Sequence, residues 1–131
     1  MSSSSESDSW PKDLDALVAA PRHHTLLFEN EAVRVLDTRI PPGSRTAVHT
    51  HRWPAALYIR SWSAFIRRDS SGEITLDSRM VPGLTKPPEV LWTSALAPHS
   101  LENVGPNDLH VISVELKCPP LSVVASMDAK H

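Results

Sequence analysis

Short apolar runs, each closed by residues that turn the chain, constrain this sequence more than any other feature. The runs "TLLFE", "AVRVLDTRI", "RTAVHTH", "AALYI", "SAFIRRD", "EITLD", "EVLWT", "HSLEN" and "LHVISVELK" are rich in valine, isoleucine, leucine and threonine, which suit a pleated, half-buried surface. Between most of them stand "PPGS" at Pro41 to Ser44, "DSSGE" at Asp69 to Glu73, "VPGLTKPP" around Gly83 and "NVGPND" at Asn103 to Asp108, with the glycine, proline, asparagine and aspartate that reversals need. Many short strands at this spacing predict an antiparallel sandwich or barrel. The 12 prolines also disfavour long helices.

At 131 residues the chain can bury one sizeable core and is short for two. Residues 1–9, serine-rich and acidic, are expected to be a disordered arm. Residues 10–21 set Trp10, Leu14, Leu17 and Val18 at roughly helical spacing before Pro21, which predicts a short amphipathic helix docked on the body. The barrel would occupy 22–118 and a tail 119–131, with a short packed segment through Val124. Thirteen basic residues against 15 acidic, without a like-charge block, give no footprint for nucleic acid. No apolar run approaches the ~20 residues of a membrane span, and the start lacks the pattern of a secretory signal. The single cysteine, Cys118, excludes an intrachain disulfide and reads as a small packed or tail thiol. The expected location is cytoplasmic.

His49 and His51 stand two apart on a strand-like run, so both imidazoles and Ala47 share one face. His99 opens "HSLEN", with Asn103 on the same side by parity. Imidazole suits zinc, iron, copper and nickel, and three neutral histidines with an open position describe a catalytic rather than a structural centre. The alternative is ordinary packing, in which the histidines line a pocket without metal. His23, His24, His110 and His131 read as structural or surface residues.

Gly43 to His51 reads glycine, five residues, histidine, any residue, histidine, and His99 with Asn103 reads histidine, three residues, asparagine. These resemble the two motifs of the cupin superfamily, in order and 48 residues apart from His51 to His99, over about residues 24 to 117. The resemblance implies an all-β double-stranded β-helix, a small jelly-roll barrel with a short N-terminal helix, whose mouth holds His49, His51 and His99 as ligands of a divalent metal ion. Fe(II) is favoured, with Zn or Ni possible, and a homodimer is the family-level expectation.

The sequence also departs from that pattern. Ala55 and Ala56 stand where cupins place a glutamate, Trp62 falls near a motif glycine, and Ser94 and Leu96 replace the proline and glycine before the second motif's histidine. Three histidines alone could hold the metal, another carboxylate could substitute, or the metal could be lost. Parity turns Glu102 outward, and Glu115 is expected in a structural ion pair with an arginine such as Arg60. Three neutral ligands would leave the ion its full double charge, a stronger Lewis acid that attracts chelating anions. This resembles three-histidine cupins that cleave β-diketones or oxidise thiols. The expected function is thus a non-haem iron dioxygenase acting on a small chelating anion such as a β-diketone, the alternative being a non-catalytic metal- or metabolite-binding module for sensing or storage. Trp53, Arg52, Ala55 and Asn103 are the expected substrate-pocket residues, with Tyr58, Phe65, Trp92 and Leu101 as further apolar walls.

Overall fold

The structure, a computed structural model, describes residues 3–117; Cys118, His131 and the expected tail lie outside them. Nine strands follow the nine apolar runs: β1 (His24–Glu29), β2 (Val33–Ile40), β3 (His49–His51), β4 (Ala55–Ser61), β5 (Phe65–Asp69), β6 (Ile74–Asp77), β7 (Val90–Thr93), β8 (Leu96–Asn103) and β9 (Leu109–Leu116). All strand pairs are antiparallel. They form a five-stranded sheet in the order β1-β2-β9-β4-β7 and a four-stranded sheet in the order β3-β8-β5-β6. Only three residues of "RTAVHTH" form regular strand, because Arg45 makes just an isolated bridge to Glu102 and the β3–β8 register shifts between His49 and His51.

Alternation along the strands sorts inside from outside. In β9, Leu109, Val111, Ser113 and Glu115 face a central cavity, while Ile112 and Val114 face out. At one end of the barrel Ile40, Phe65 and Leu109 make a buried apolar cluster, with Trp62, Leu76, Leu84 and Leu101 packed on it. The Trp62 indole N–H donates to the Leu84 carbonyl at 2.7 Å, which satisfies the one polar atom that ring brings inside. Two reversals use glycine at positive φ, Gly43 at 79° and Gly72 at 94°, where a side chain would be strained.

The N-terminal segment is more ordered than its composition predicts. Ser3–Asp8 forms a helix, α1, rather than a disordered arm, and Asp8 pairs with Arg52 at 3.0 Å. The expected helix over 10–21 breaks into a 3-10 turn (Lys12–Leu14) and α2 (Ala16–Ala19), because Asp15 between them caps α2, accepting from the Leu17 N–H at 3.1 Å. Its buried contacts are Ala16 and Ala20, with Val18 exposed, so the segment sits close to the barrel through small residues instead of a large apolar face. Among the described residues no helix is long and apolar enough to cross a membrane.

Candidate metal centre

β3 and β8 lie side by side with His49 directly opposite His99, so these two rings meet with centroids 4.4 Å apart. His51 packs against His49 at 5.0 Å and against His99 at 5.8 Å. The structure therefore brings together the three histidines singled out by spacing. It adds a fourth. His24, expected to precede the barrel as a structural or surface residue, is the first residue of β1 and is buried, with its ring 4.6 Å from His49 and 5.2 Å from His51. Ligand atoms of His24, His49 and His51 lie within 4.8 Å of one another.

One pattern governs all four rings. Nδ1 of His24, His49 and His99 lies 3.0, 2.8 and 2.7 Å from the carbonyls of Ala20, Ala47 and Ala97, and Nδ1 of His51 lies 3.1 Å from Glu115 Oε2. A carbonyl can only accept, so each Nδ1 facing one carries the proton and Nε2 keeps the lone pair. For His51 the carboxylate imposes the same tautomer. Burial, with help from the neighbouring imidazoles, holds His24 and His51 down at about 3 and His99 at about 2; burial also lowers His49. All four are neutral at pH 7. His24, His49 and His51, the three whose ligand atoms converge, with Nδ1 anchored and Nε2 free, fit a divalent transition-metal ion, while His99 packs beside His49 outside that set, and outer hydrogen bonds of this kind orient ligating histidines.

Glu115 is the inward carboxylate of this region, directly across from Ala55 on the neighbouring strand. It reaches the back of His51 rather than the Nε2 side, so it orients the ring and does not join the donor set. Its other oxygen takes Arg34 Nε at 2.6 Å, and the Arg34 guanidinium makes a two-pronged contact with Asp15 at 2.9 and 3.0 Å. Arg34, not Arg60, is therefore its ion-pair partner, because Arg60 is exposed on β4. Burial pushes the Glu115 carboxyl up against the opposing pull of Arg34. Burial also raises Asp15, but the hydrogen bonds and charge of Arg34 win and leave it lowered.

The histidines open into a cavity of about 120 Å³, room for a small ligand on the order of a few water molecules. No family model matches the sequence, and no curated protein does. Solved structures do resemble the fold. A cupin domain from Bordetella pertussis Tohama I superposes with a TM-score of 0.56 at 19% identity, over 72% of this chain and 92% of that one. An RmlC-like cupin family protein with a double-stranded β-helix fold from Methanocaldococcus jannaschii gives 0.50 at 14% identity, over 71% of this chain and 79% of that one. The fold is that of a cupin.

Within this cupin barrel the other expected pocket residues divide. Trp53, Ala55, Phe65 and Leu101 line the cavity. Trp53 is held by cations, with Arg34 and Arg52 4.9 and 5.0 Å from its ring centre. Arg52 itself does not line the cavity; its guanidinium is drawn outward by Asp8. Tyr58 and Trp92 fall on the outer face of the five-stranded sheet and are exposed. Asn103 is fully buried but belongs to the scaffold: its Nδ2 donates to the carbonyls of Ile40 and Asn107, and its Oδ1 accepts from Ser63 Oγ and Gly105 N–H. Glu102 turns away from the cavity, as parity requires, and pairs with Arg68 at 2.8 Å. His23 contacts Ser44, and His110 contacts Asp37, both away from the cluster.

Proposed function

We propose that this is a metal-dependent cupin in which His24, His49, His51 and His99 hold one divalent ion, Fe(II) by preference, and that it acts as a dioxygenase on a small chelating anion such as a β-diketone. The observation that carries the metal reading is the common tautomer of the four rings, each with Nδ1 engaged behind it and Nε2 left to the cavity. Bound there, the ion would supply Lewis acidity undiminished by a carboxylate ligand. The protein's own contribution is to hold four neutral donors, to orient His51 through Glu115, and to exclude bulk water with Trp53, Phe65, Leu96 and Leu101. Elemental analysis of protein grown in iron-rich and zinc-rich media, followed by oxygen uptake with 2,4-pentanedione, tests the reading. Stoichiometric iron with substrate-dependent uptake supports it; iron-loaded protein that consumes no oxygen across diketones and thiols removes the dioxygenase assignment.

His24 favours a second reading. A fourth imidazole occupies space and coordination that a substrate would otherwise share, which suits a binding or sensing module. Tight ligand binding without turnover selects it.

The outer face of the five-stranded sheet supports a homodimer. Register sets Ala56 beside Val114 and Trp92, and Tyr58 beside Ile112 and Val90, with Tyr58, Val90 and Trp92 exposed. A contiguous apolar strip of this kind suits a second copy of the chain.

A further inference from the structure

Arg67 is the cation that the metal reading leaves unexplained. It lies on β5, lines the cavity with the four histidines, and its Nε is buried with no hydrogen-bond partner. Among the described residues it has no ion-pair partner either, whereas Arg34, the other arginine of the interior, has two carboxylates. Glu115, the one carboxylate among the described residues that lines the cavity, is already engaged by Arg34 and His51.

Position makes the orphan charge meaningful. Arg67 pairs with Leu101 across β5 and β8, two residues from His99 on the same inward-facing side, a separation of roughly 7 Å along the strand. Most of the surrounding wall is apolar, with Ile40, Phe65, Leu96, Leu101 and Leu109, so nothing nearby offsets a guanidinium. Burial accordingly lowers Arg67 below its ordinary value, with no counter-charge opposing the shift. An arginine remains protonated even so. A second cation beside a dication centre works against metal binding unless an anion lies between them.

We propose that Arg67 is a specificity-determining residue that holds the carboxylate of a small chelating acid, of the 3-oxo acid class, in preference to an uncharged diketone. The guanidinium offers a planar fork that matches a carboxylate, and a buried pair of this kind is strengthened by the apolar wall around it. This deepens the metal-binding reading, on which only the chelating end of the ligand rests; the Arg67 contact does not require the ion.

Acetoacetate and 2,4-pentanedione, which differ chiefly by a carboxylate in place of a methyl ketone, make the test. Calorimetric titrations of both compounds are run on metal-free and metal-loaded protein, for the wild type, Arg67→Met and Arg67→Lys. The wild type is expected to favour acetoacetate by about tenfold to a hundredfold, the range for a hydrogen-bonded charge pair. Arg67→Met should lose that preference while its affinity for 2,4-pentanedione changes less than about twofold, and Arg67→Lys should retain part of it. Equal affinity of the wild type for the two compounds overturns the proposal without any variant, and so does acetoacetate binding unaffected in Arg67→Met. Protein that takes up no metal yet binds acetoacetate through Arg67 upholds it while defeating the metal assignment.

Discussion

Glu115 holds His51 on one carboxylate oxygen and Arg34 on the other, at 3.1 and 2.6 Å. The chain of contacts continues from Arg34 to Asp15, which also caps α2. One buried carboxylate thus links the orientation of a candidate ligand to the docking of the N-terminal segment.

Replacing Glu115 therefore has two readouts. Glu115→Gln should weaken metal binding by about tenfold to a hundredfold, the usual cost of losing an outer carboxylate behind a ligating histidine; competition with a chelator measures it. Glu115→Ala, which strands Arg34 with only Asp15, should cost about 3 kcal/mol in urea unfolding. Unchanged metal affinity in Glu115→Gln would show that the carboxylate serves the ion pair alone.

His24→Gln distinguishes four ligands from three. The variant is expected to keep its fold and to bind metal more weakly than the wild type, whereas His49→Ala, at the centre of the cluster, should abolish stoichiometric binding. Wild-type metal content and affinity in His24→Gln would leave His24 as a packing residue.

Acid should destabilise the metal-free protein over a definite window. His24 and His51 are held down at about 3 and His99 at about 2, against an ordinary 6.5, so the unfolded chain binds protons that the folded one refuses. Their contribution is fully present above pH 6.5 and is lost as the pH falls toward 3, at up to about 1.4 kcal/mol per pH unit for each group. Lowered Asp15 adds to this loss at the acid end, and raised Glu115 opposes it. Urea midpoints measured from pH 7 to pH 4 should fall steeply; a flat profile contradicts the buried, neutral state of the cluster.

Gly105→Ala isolates the scaffold from the site. A Cβ there would clash with Ser63 Oγ and lie 2.7 Å from the Ala64 nitrogen, displacing the hydroxyl that bonds Asn103. Overpacking plus a broken buried hydrogen bond should cost about 2–4 kcal/mol with metal affinity of the folded protein unaltered. Differential scanning calorimetry and chelator competition read the two quantities separately.

Trp92→Glu tests the dimer. The charge falls on β7, at the sheet-edge side of the outer apolar strip, so sedimentation should show a dimeric wild type and a monomeric variant, with the cavity chemistry intact. A wild type that sediments as a monomer removes this use of the strip.

The strands were legible because each depends on local pattern: an apolar run and the turn that ends it are neighbours in the chain. Parity along a strand placed His49, His51 and the outward Glu102 correctly for the same reason. His24 was not legible. Its place in the cluster depends on the pairing of His24 with Thr38 across β1 and β2 and on the carbonyl of Ala20 behind the ring, and neither register nor helix docking is written in a local stretch. Asn103 misled because parity gives the side of a strand but not the depth, and its position at the end of β8 puts it among scaffold turns instead of beside the histidines. Arg34 and Glu115, 81 residues apart, meet only because β9 inserts next to β2. The signal that could have raised them is a charged residue at an inward position of an otherwise apolar strand, which requires a partner wherever the topology puts it.

The four imidazoles come from three strands in two sheets: β1 at the edge of the larger one, β3 and β8 in the smaller. β1 is held to the larger sheet by β2 alone. An ion bound by all four would act as a crosslink between the layers, fastening the most easily frayed strand to the opposite wall. Amide hydrogens of His24 to Glu29 should then exchange with solvent far more slowly when metal is present, so that occupancy of the centre is read as the opening frequency of a sheet edge.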